Sequence, residues 1–380
     1  MPPTTAPAPR RVRKGFNHVD DAMRQAALDV LDSHEYYLGP QNDAFEQEVG
    51  AYLGCQHAVA VNSGTSGMFL ILVALGIGPG DEVIVPAMGF VTLAEAVVVA
   101  GATPVFVDVE PVTYNLDPDA VQSAITAATR AIVPAHKYGH PADMRTLTTI
   151  AQERGLDLIE DACHAFGAEV DGARVGALGR AGFLSFAGKS ISVCGLGGMV
   201  LTNDAELAQE VRLLRDHGRP RAKGERFYDI LRAGYNLRLS ELHAAIGRAQ
   251  LPHLDAWNER RNANARGYNQ AFEAASVPLG LPATLPGYRH AFLHYTVRVE
   301  GGRRDALRAH LAEADVEATI LYPRDLHLLG PYRDLRGHGE GDFPVAERLT
   351  SEVLSLPNHP ALADADRDTV VAAVARFYGG

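Results

Sequence analysis

The sequence predicts an α/β protein, with a large domain on a mostly parallel sheet and a smaller C-terminal α+β domain. Two observations predict the large domain. Short apolar runs alternate with helix-spaced segments between about residues 57 and 162, which is the pattern of βαβ units. The runs are apolar throughout, as strands are when helices cover both faces of a sheet. A third observation predicts the small domain: beyond about residue 255 the alternation gives way to long charged helices and a single strand.

In chain order, residues 1–14 are expected to form a disordered tail. The N-terminus has basic residues but no apolar core, so it does not read as a secretory signal. Helical spacing follows over 18–33 and 43–53. Strands are expected at 57–63, 81–86, 103–109, 129–136 and 156–162, and helices at 64–77, 90–101, 118–126 and 143–155. A strand over Gly182–Phe186, a glycine turn at Gly195–Gly198 and a short strand after it belong to the same domain, taken as 15–255. The small domain, 256–380, opens with a charged helix over 257–275. A Pro/Gly-rich stretch (279–287) follows, then a strand over 292–300 and helices near 303–314 and 367–378.

The chain of 380 residues is 47% hydrophobic and 21% charged, as soluble globular proteins are. Its net charge of −11 argues against broad electrostatic binding to nucleic acid. The cysteines, Cys55, Cys163 and Cys194, are too few and scattered for a disulfide framework or a zinc cluster, so no metal site is expected and a reducing cytoplasm fits. The longest apolar run, MFLILVALGIG, is too short to span a bilayer.

In parallel sheets ligands bind beyond the carboxyl ends of the strands. Three segments in that position carry chemistry. NSGTSG (Asn62–Gly67) follows a strand and opens a helix, where free N–H groups and the helix dipole favour a phosphate. Gly64 allows close backbone approach, and Thr65 and Ser66 add amides and hydroxyls; an ordinary capped helix start reads the same way. LDLIEDACHAFGA ends its strand in Glu160 and Asp161, with His164 beyond. A carboxylate there needs a cationic partner; a pyridinium nitrogen is one, and a helix N-cap is the other use. LSFAGKSISVCGLGG holds Lys189 between an apolar strand and a glycine turn. Such a lysine either forms a Schiff base with an aldehyde cofactor or is a solvated surface cation. The order favours the first: phosphate turn, strand-end Asp, then Ser185-x-x-x-Lys189 before a glycine turn is the arrangement of a pyridoxal phosphate (PLP) site on a parallel sheet.

With these motifs the chain resembles the DegT–StrS group of sugar aminotransferases, fold-type-I PLP enzymes related to aspartate aminotransferase. The resemblance runs from GPQNDAFEQEVGAYLG through VNSGTSG, GATPVFVDVEPVTYNLDP, IEDACHAFGA and GYNLRLSELHAAIGRAQL to LSLPNHP, nearly the whole chain. It implies that Lys189 carries the cofactor and shuttles the substrate proton, and that Asp161 pairs with the pyridinium nitrogen. Phe90 would stack on the ring, unless it is a core residue, and His164 would lie near the ring hydroxyl. Gly64, Thr65, Ser66 and Ser185 would hold the phosphate. Asn236 would reach the phosphate of a neighbouring subunit, which implies a homodimer with shared active sites.

The chain also departs from the family's pattern. Lys189 comes four residues after Ser185 where five is usual. The spacing from Lys189 to Gly197 and Gly198 is kept, so a one-residue deletion before Gly188 is read; the alternative puts Ser190 at the lysine's place. Lys137, in HKYG, stands where an apolar residue is usual. It would meet a substrate or donor carboxylate, or be a surface lysine. The basic segment Arg212–Phe227, with Arg215, Arg219, Arg221, Lys223 and Arg226, is read as a loop that meets an anionic diphosphate or donor carboxylate, or as a solvated loop. Tyr322 and His327, in LYPRDLHL, complete the substrate-side candidates.

The expected function is PLP-dependent transfer of an amino group from glutamate or glutamine to a keto-sugar, most simply a nucleotide-linked one, in amino-sugar or antibiotic biosynthesis. A keto-cyclitol is the second acceptor. The rivals are a PLP-dependent sugar dehydratase, whose lysine would be a histidine, and a non-catalytic PLP-binding regulatory protein.

Overall fold

The computed structural model describes residues 11–220 and 229–379. Its first half alternates as expected: α1 (Asp21–Ser33), α2 (Pro40–Leu53), β1 (His57–Val61), α3 (Gly64–Ala74), β2 (Glu82–Pro86), α4 (Thr92–Val99), β3 (Thr103–Val107), α5 (Pro118–Ala124), β4 (Thr129–Ile132), α6 (Met144–Arg154) and β5 (Asp157–Asp161). A short hairpin, β6 (Glu169–Val170) and β7 (Ala173–Arg174), precedes β8 (Ala181–Ser185), β9 (Gly198–Thr202), α7 (Ala205–Arg215) and α8 (Glu241–Gln250). The C-terminal part holds α9 (Leu254–Ala274), β10 (Tyr288–Arg289), β11 (Tyr295–Arg298), α10 (Arg304–Glu313), α11 (Gly330–Arg333), α12 (Pro344–Glu352), β12 (Val353–Leu356) and α13 (Asp364–Gly379).

Seven strands form one sheet in the order β1-β9-β8-β5-β4-β2-β3. Neighbours from β8 to β3 are parallel, and β9 runs antiparallel to both β1 and β8. Side chains alternate across the sheet with period two. Val83 and Val85 of β2 therefore join one apolar layer, with Phe183 and Val200, while Ile84 joins the other, with Val105 and Leu158. Both layers are buried, which is why the strands read as continuous apolar runs. A third core, around Tyr268, Phe272, Tyr295, Leu307, Leu354 and Val374, belongs to the smaller α+β part, where β11 pairs with β12.

Three differences from the sequence reading have plain physical causes. Residues 11–14 are not part of a disordered tail. Val12 is buried in the third core, bridging Val316, and the Lys14 N–H donates to Glu317 Oε2 at 3.1 Å. The start of the basic segment is not a loop, because Ala205–Arg215 is helical, capped by Asp204, which accepts from the N–H groups of Glu206 and Leu207. The pairing of β10 with β6 could not be anticipated, since two-residue strands carry no periodicity. Arg221, Lys223 and Arg226 lie outside the described residues.

Candidate active site

Loops from the carboxyl ends of β1, β2, β4, β5 and β8 meet around one cavity of about 360 Å³. Ser63, Gly64 and Thr65 form its first wall. Ser63 caps α3: its Oγ accepts from the Ser66 N–H at 3.0 Å and lies 2.9 Å from Ser66 Oγ. Ser66 is thereby turned to the cap and does not line the cavity, whereas Ser63, which the motif reading passed over, does. The N–H groups of Gly64 and Thr65 have no intrahelical acceptor and sit at the positive end of α3. Thr65 Oγ1 pairs with Thr92 Oγ1 at 2.7 Å. The turn is wedged between two strands. A Cβ on Gly64 would stand 2.9 Å from Ser185 Cβ, and one on Gly198 would stand 2.5 Å from the Ser63 carbonyl. Glycine is needed at both places because nothing larger fits.

Asp161 ends β5 facing the cavity, its Oδ1 accepting from the Cys163 N–H at 3.0 Å. Its neighbour Glu160 points to the opposite side and is fully buried. It accepts from the N–H groups of Gly176, Leu178 and Gly179 at 2.6–2.8 Å and meets His136 Nε2 at 3.1 Å. His136 Nδ1 accepts from the Ala142 N–H, so its proton sits on Nε2, toward Glu160. Of the two strand-end acids, one holds the loop after β7 and the other is left for a ligand.

Lys189 reaches the cavity from the bend after β8. Gly188 takes the left-handed conformation, φ 62°, which glycine adopts without strain, and Lys189 follows this bend directly. Its Nζ lies 3.0 Å from His164 Nε2. Burial, then the charge of Lys189, pushes the His164 imidazole well below its ordinary range, so the ring is neutral. Ser190 is buried and faces away from this cavity. Phe90 is 54% exposed, so it is not a core residue. Its ring centroid stands 6.0 Å from Lys189 Nζ and 6.2 Å from the ring of Tyr322, which lines the cavity too. Ser185 is also in the wall.

Lys137 is in the cavity rather than on the surface: it is 2% exposed. The other substrate-side candidates are elsewhere. Arg215 is fully buried under α2, with Nη1 2.5 Å from Glu46 Oε1 and 2.6 Å from the Ala60 carbonyl, so it cannot meet a substrate. Arg219 holds Asp216 through Nη2 at 2.8 and 2.9 Å. His327 is packed against Phe343 in the core with Nε2 3.3 Å from Glu347. An i+3 basic residue after an apolar helix face is the only sequence trace of Arg215's burial, and it is too common to be read. Asn236 is exposed and outside its own chain's cavity, its Oδ1 accepting from Arg238 Nη2 at 2.6 Å. A wider cavity, about 940 Å³, meets the first at Lys189 and is lined by Arg13, Lys14, Arg261 and His294.

A profile described as the DegT/DnrJ/EryC1/StrS aminotransferase family matches residues 17–375. The chain belongs to this family. The DegT/DnrJ/EryC1/StrS membership makes it an enzyme, a PLP-dependent aminotransferase of fold type I. It is 41% identical over 352 residues, 92% of each chain, to the pleiotropic regulatory protein of Geobacillus stearothermophilus. It is 43% identical over 347 residues to the dTDP-3-amino-3,4,6-trideoxy-α-D-glucose transaminase of Streptomyces venezuelae, covering 91% of this chain and 89% of that one. The crystal structure of S. venezuelae DesV superposes with a TM-score of 0.88 at 42% identity, over 93% of this chain and 94% of the other. The cavity fits the family's cofactor: the N-terminal turn of α3 with its free N–H groups, a strand-end carboxylate whose Oδ1 takes only the Cys163 N–H, and a lysine amine all line one space. Among the described residues no helix is long and apolar enough to cross a membrane.

Proposed function

We propose that the enzyme moves an amino group from glutamate or glutamine to a ketone on a nucleotide-linked sugar, as a cytoplasmic homodimer. The observation that carries this reading is the position of Lys189, which lines both the small cavity and the larger basic one. The reacting carbon would sit between them. When bound, PLP supplies an electron sink for the carbanion formed at that carbon.

The chain's own residues supply the rest. The N–H groups of Gly64 and Thr65 bind the phosphate at the α3 N-terminus, with Ser185 beside them. Asp161 accepts from the protonated ring nitrogen and holds the charge there. Phe90 covers one ring face and keeps water off it. Nζ of Lys189 would hold the cofactor and, once free, would take and give back the substrate proton as general base and acid. Neutral His164, 3.0 Å away, accepts from or donates to that amine and fixes its direction. The larger cavity, with Arg13, Lys14 and Arg261, offers cations to a diphosphate. The S. venezuelae transaminase acts on a dTDP-linked sugar by its name, and this supports the same acceptor class here. Retention of a lysine at position 189 disfavours a dehydratase.

The test is spectroscopic. The purified protein is expected to show the visible absorbance of lysine-bound cofactor and to lose it on adding glutamate or glutamine. Lys189→Ala is expected to lack it. An unchanged spectrum in the variant would sink the assignment. Nucleotide-linked keto-sugars should then reoxidise the aminated form of the cofactor faster than keto-cyclitols.

A further inference from the structure

Lys137 is a lysine of the cavity wall to which the proposed reaction gives no role. It stands on the turn Lys137–Gly139 after β4, its N–H donating to Asn115 Oδ1 at 2.8 Å, which fixes the backbone. Gly89 makes room for the amine, since a Cβ there would come within 3.0 Å of Nζ. The same point lies beside Leu93 and Leu326, so the amine is flanked by apolar groups. The Tyr322 ring centroid is 5.6 Å from Nζ.

Among the described residues Nζ has no ion pair. Asp161 and Asp325 act on it from a distance. Asp325 Oδ1 already accepts from Thr350 Oγ1 at 2.7 Å, and Asp161 is assigned above to the ring nitrogen. A buried ammonium without a close counter-ion is costly, and burial pushes this amine down to about 8. An apolar residue would fill the same space at no such cost, so the charge is kept for something that enters the cavity.

We propose that Lys137 anchors a carboxylate of the substrate that occupies the space beside the cofactor. One ammonium among apolar walls balances one negative charge, which matches a carboxylate. A diphosphate needs several cations, and those line the wider cavity. The carboxylate belongs either to the amino-acid donor or to an acceptor that carries an acid group. The inference rests on the reading of Lys189 as the cofactor lysine.

The probe is glutarate, a dicarboxylate with no amine, titrated into the cofactor-loaded protein and followed by the shift in cofactor absorbance. Lys137→Met is expected to load cofactor normally and to weaken glutarate by about ten- to a hundredfold, the worth of one charge-assisted hydrogen bond. In the wild type, binding needs the protonated amine, so affinity should hold below pH 8 and fall above it; the variant should lose this dependence. Asp161, Asp325, His164 and Tyr322 also face the amine, Lys189 lines the same cavity, and all remain in the variant. A tenfold or greater rise in KM for glutamate and 2-oxoglutarate in Lys137→Met identifies the donor's carboxylate. A rise confined to acid-bearing keto-sugars identifies the acceptor's. Lys137→Gln serves as the second variant should the first fold poorly. Unchanged glutarate binding, or loss of cofactor in place of glutarate, overturns the proposal. A wild type without lysine-bound cofactor overturns the reading beneath it instead.

Discussion

At the scale of single residues the site depends as much on atoms that are missing as on those present. Gly198 and Gly64 let β9 and β8 press directly on the turn after β1, which holds the α3 N-terminus against the cavity. Gly198→Ala would place a methyl group 2.5 Å from the carbonyl of Ser63, against backbone that cannot yield without moving the turn. Overpacking of this kind costs about 1–3 kcal/mol. The expected result is at least about tenfold weaker cofactor binding, by fluorescence titration of cofactor-free protein, since two aligned N–H groups are displaced together. Unaltered affinity would mean that the phosphate is held elsewhere. The paired acids Glu160 and Asp161 make the complementary point. Their chemistry is identical, and the two-residue period of a strand sends one into a hydrogen-bonded loop and the other to the ligand.

At the scale of elements, α7 and α2 are locked onto β1 by one buried ion pair. Arg215 reaches Glu46 and the Ala60 carbonyl, and Glu46 Oε1 in turn accepts from the Ala60 N–H at 2.9 Å. Removing one partner of such a pair leaves the other charge buried and costs about 3–5 kcal/mol. Arg212 Nη2, 3.8 Å from Glu46 Oε2, offsets part of the loss, so the low end, about 3 kcal/mol, is expected for Arg215→Met. Urea unfolding should show that loss while KM for both substrates stays within about twofold of wild type, the behaviour of uniform binding left intact. A large KM change at normal stability would return Arg215 to the substrate. A similar buried carboxylate organises the start of α2: Glu241 of α8 accepts from the N–H groups of Gly39, Gln41 and Asn42 at 2.7–3.0 Å. The first ties α7 and α2 to the strand that precedes the phosphate turn, and the second ties α8 to the start of α2.

At the scale of the whole molecule, the sheet brings five loops to one edge, and Asn236 stands outside the cavity they form. If it completes the site of a second copy, Lys189→Ala and Asn236→Ala should each be inactive alone. Random re-association of an equal mixture should regain about a quarter of wild-type activity, because half the dimers would carry one intact site of two. No recovery would place Asn236 with its own chain's structure. The large basic cavity and the small cofactor cavity also belong to this scale, since the first is walled by Arg13 and Lys14 at one end of the chain and by Arg261 of α9.

The sequence by itself determined the alternation of strands and helices, the burial of the sheet on both faces, and the three segments of the cofactor site. These are local facts: apolar period, a turn that opens a helix, a glycine beside a lysine. The same local logic pointed to Asp161, Thr65 and Lys189, and the family resemblance to Phe90; the fold brings all four to one cavity. It could not separate Ser63 from Ser66, because the direction of a cap hydroxyl depends on the strand behind it. It read Arg215 and His327 as substrate groups because a basic side chain in a sequence carries no sign of burial. Only the packing of α7 under α2, and of the 326–328 turn against Phe343, turned these two side chains inward. Packing decided Lys137 the other way: the gap at Gly89, 48 residues earlier in the chain, opens the space that its amine occupies. Partners that meet across a sheet are chosen by tertiary contact, and neither member announces the other in sequence.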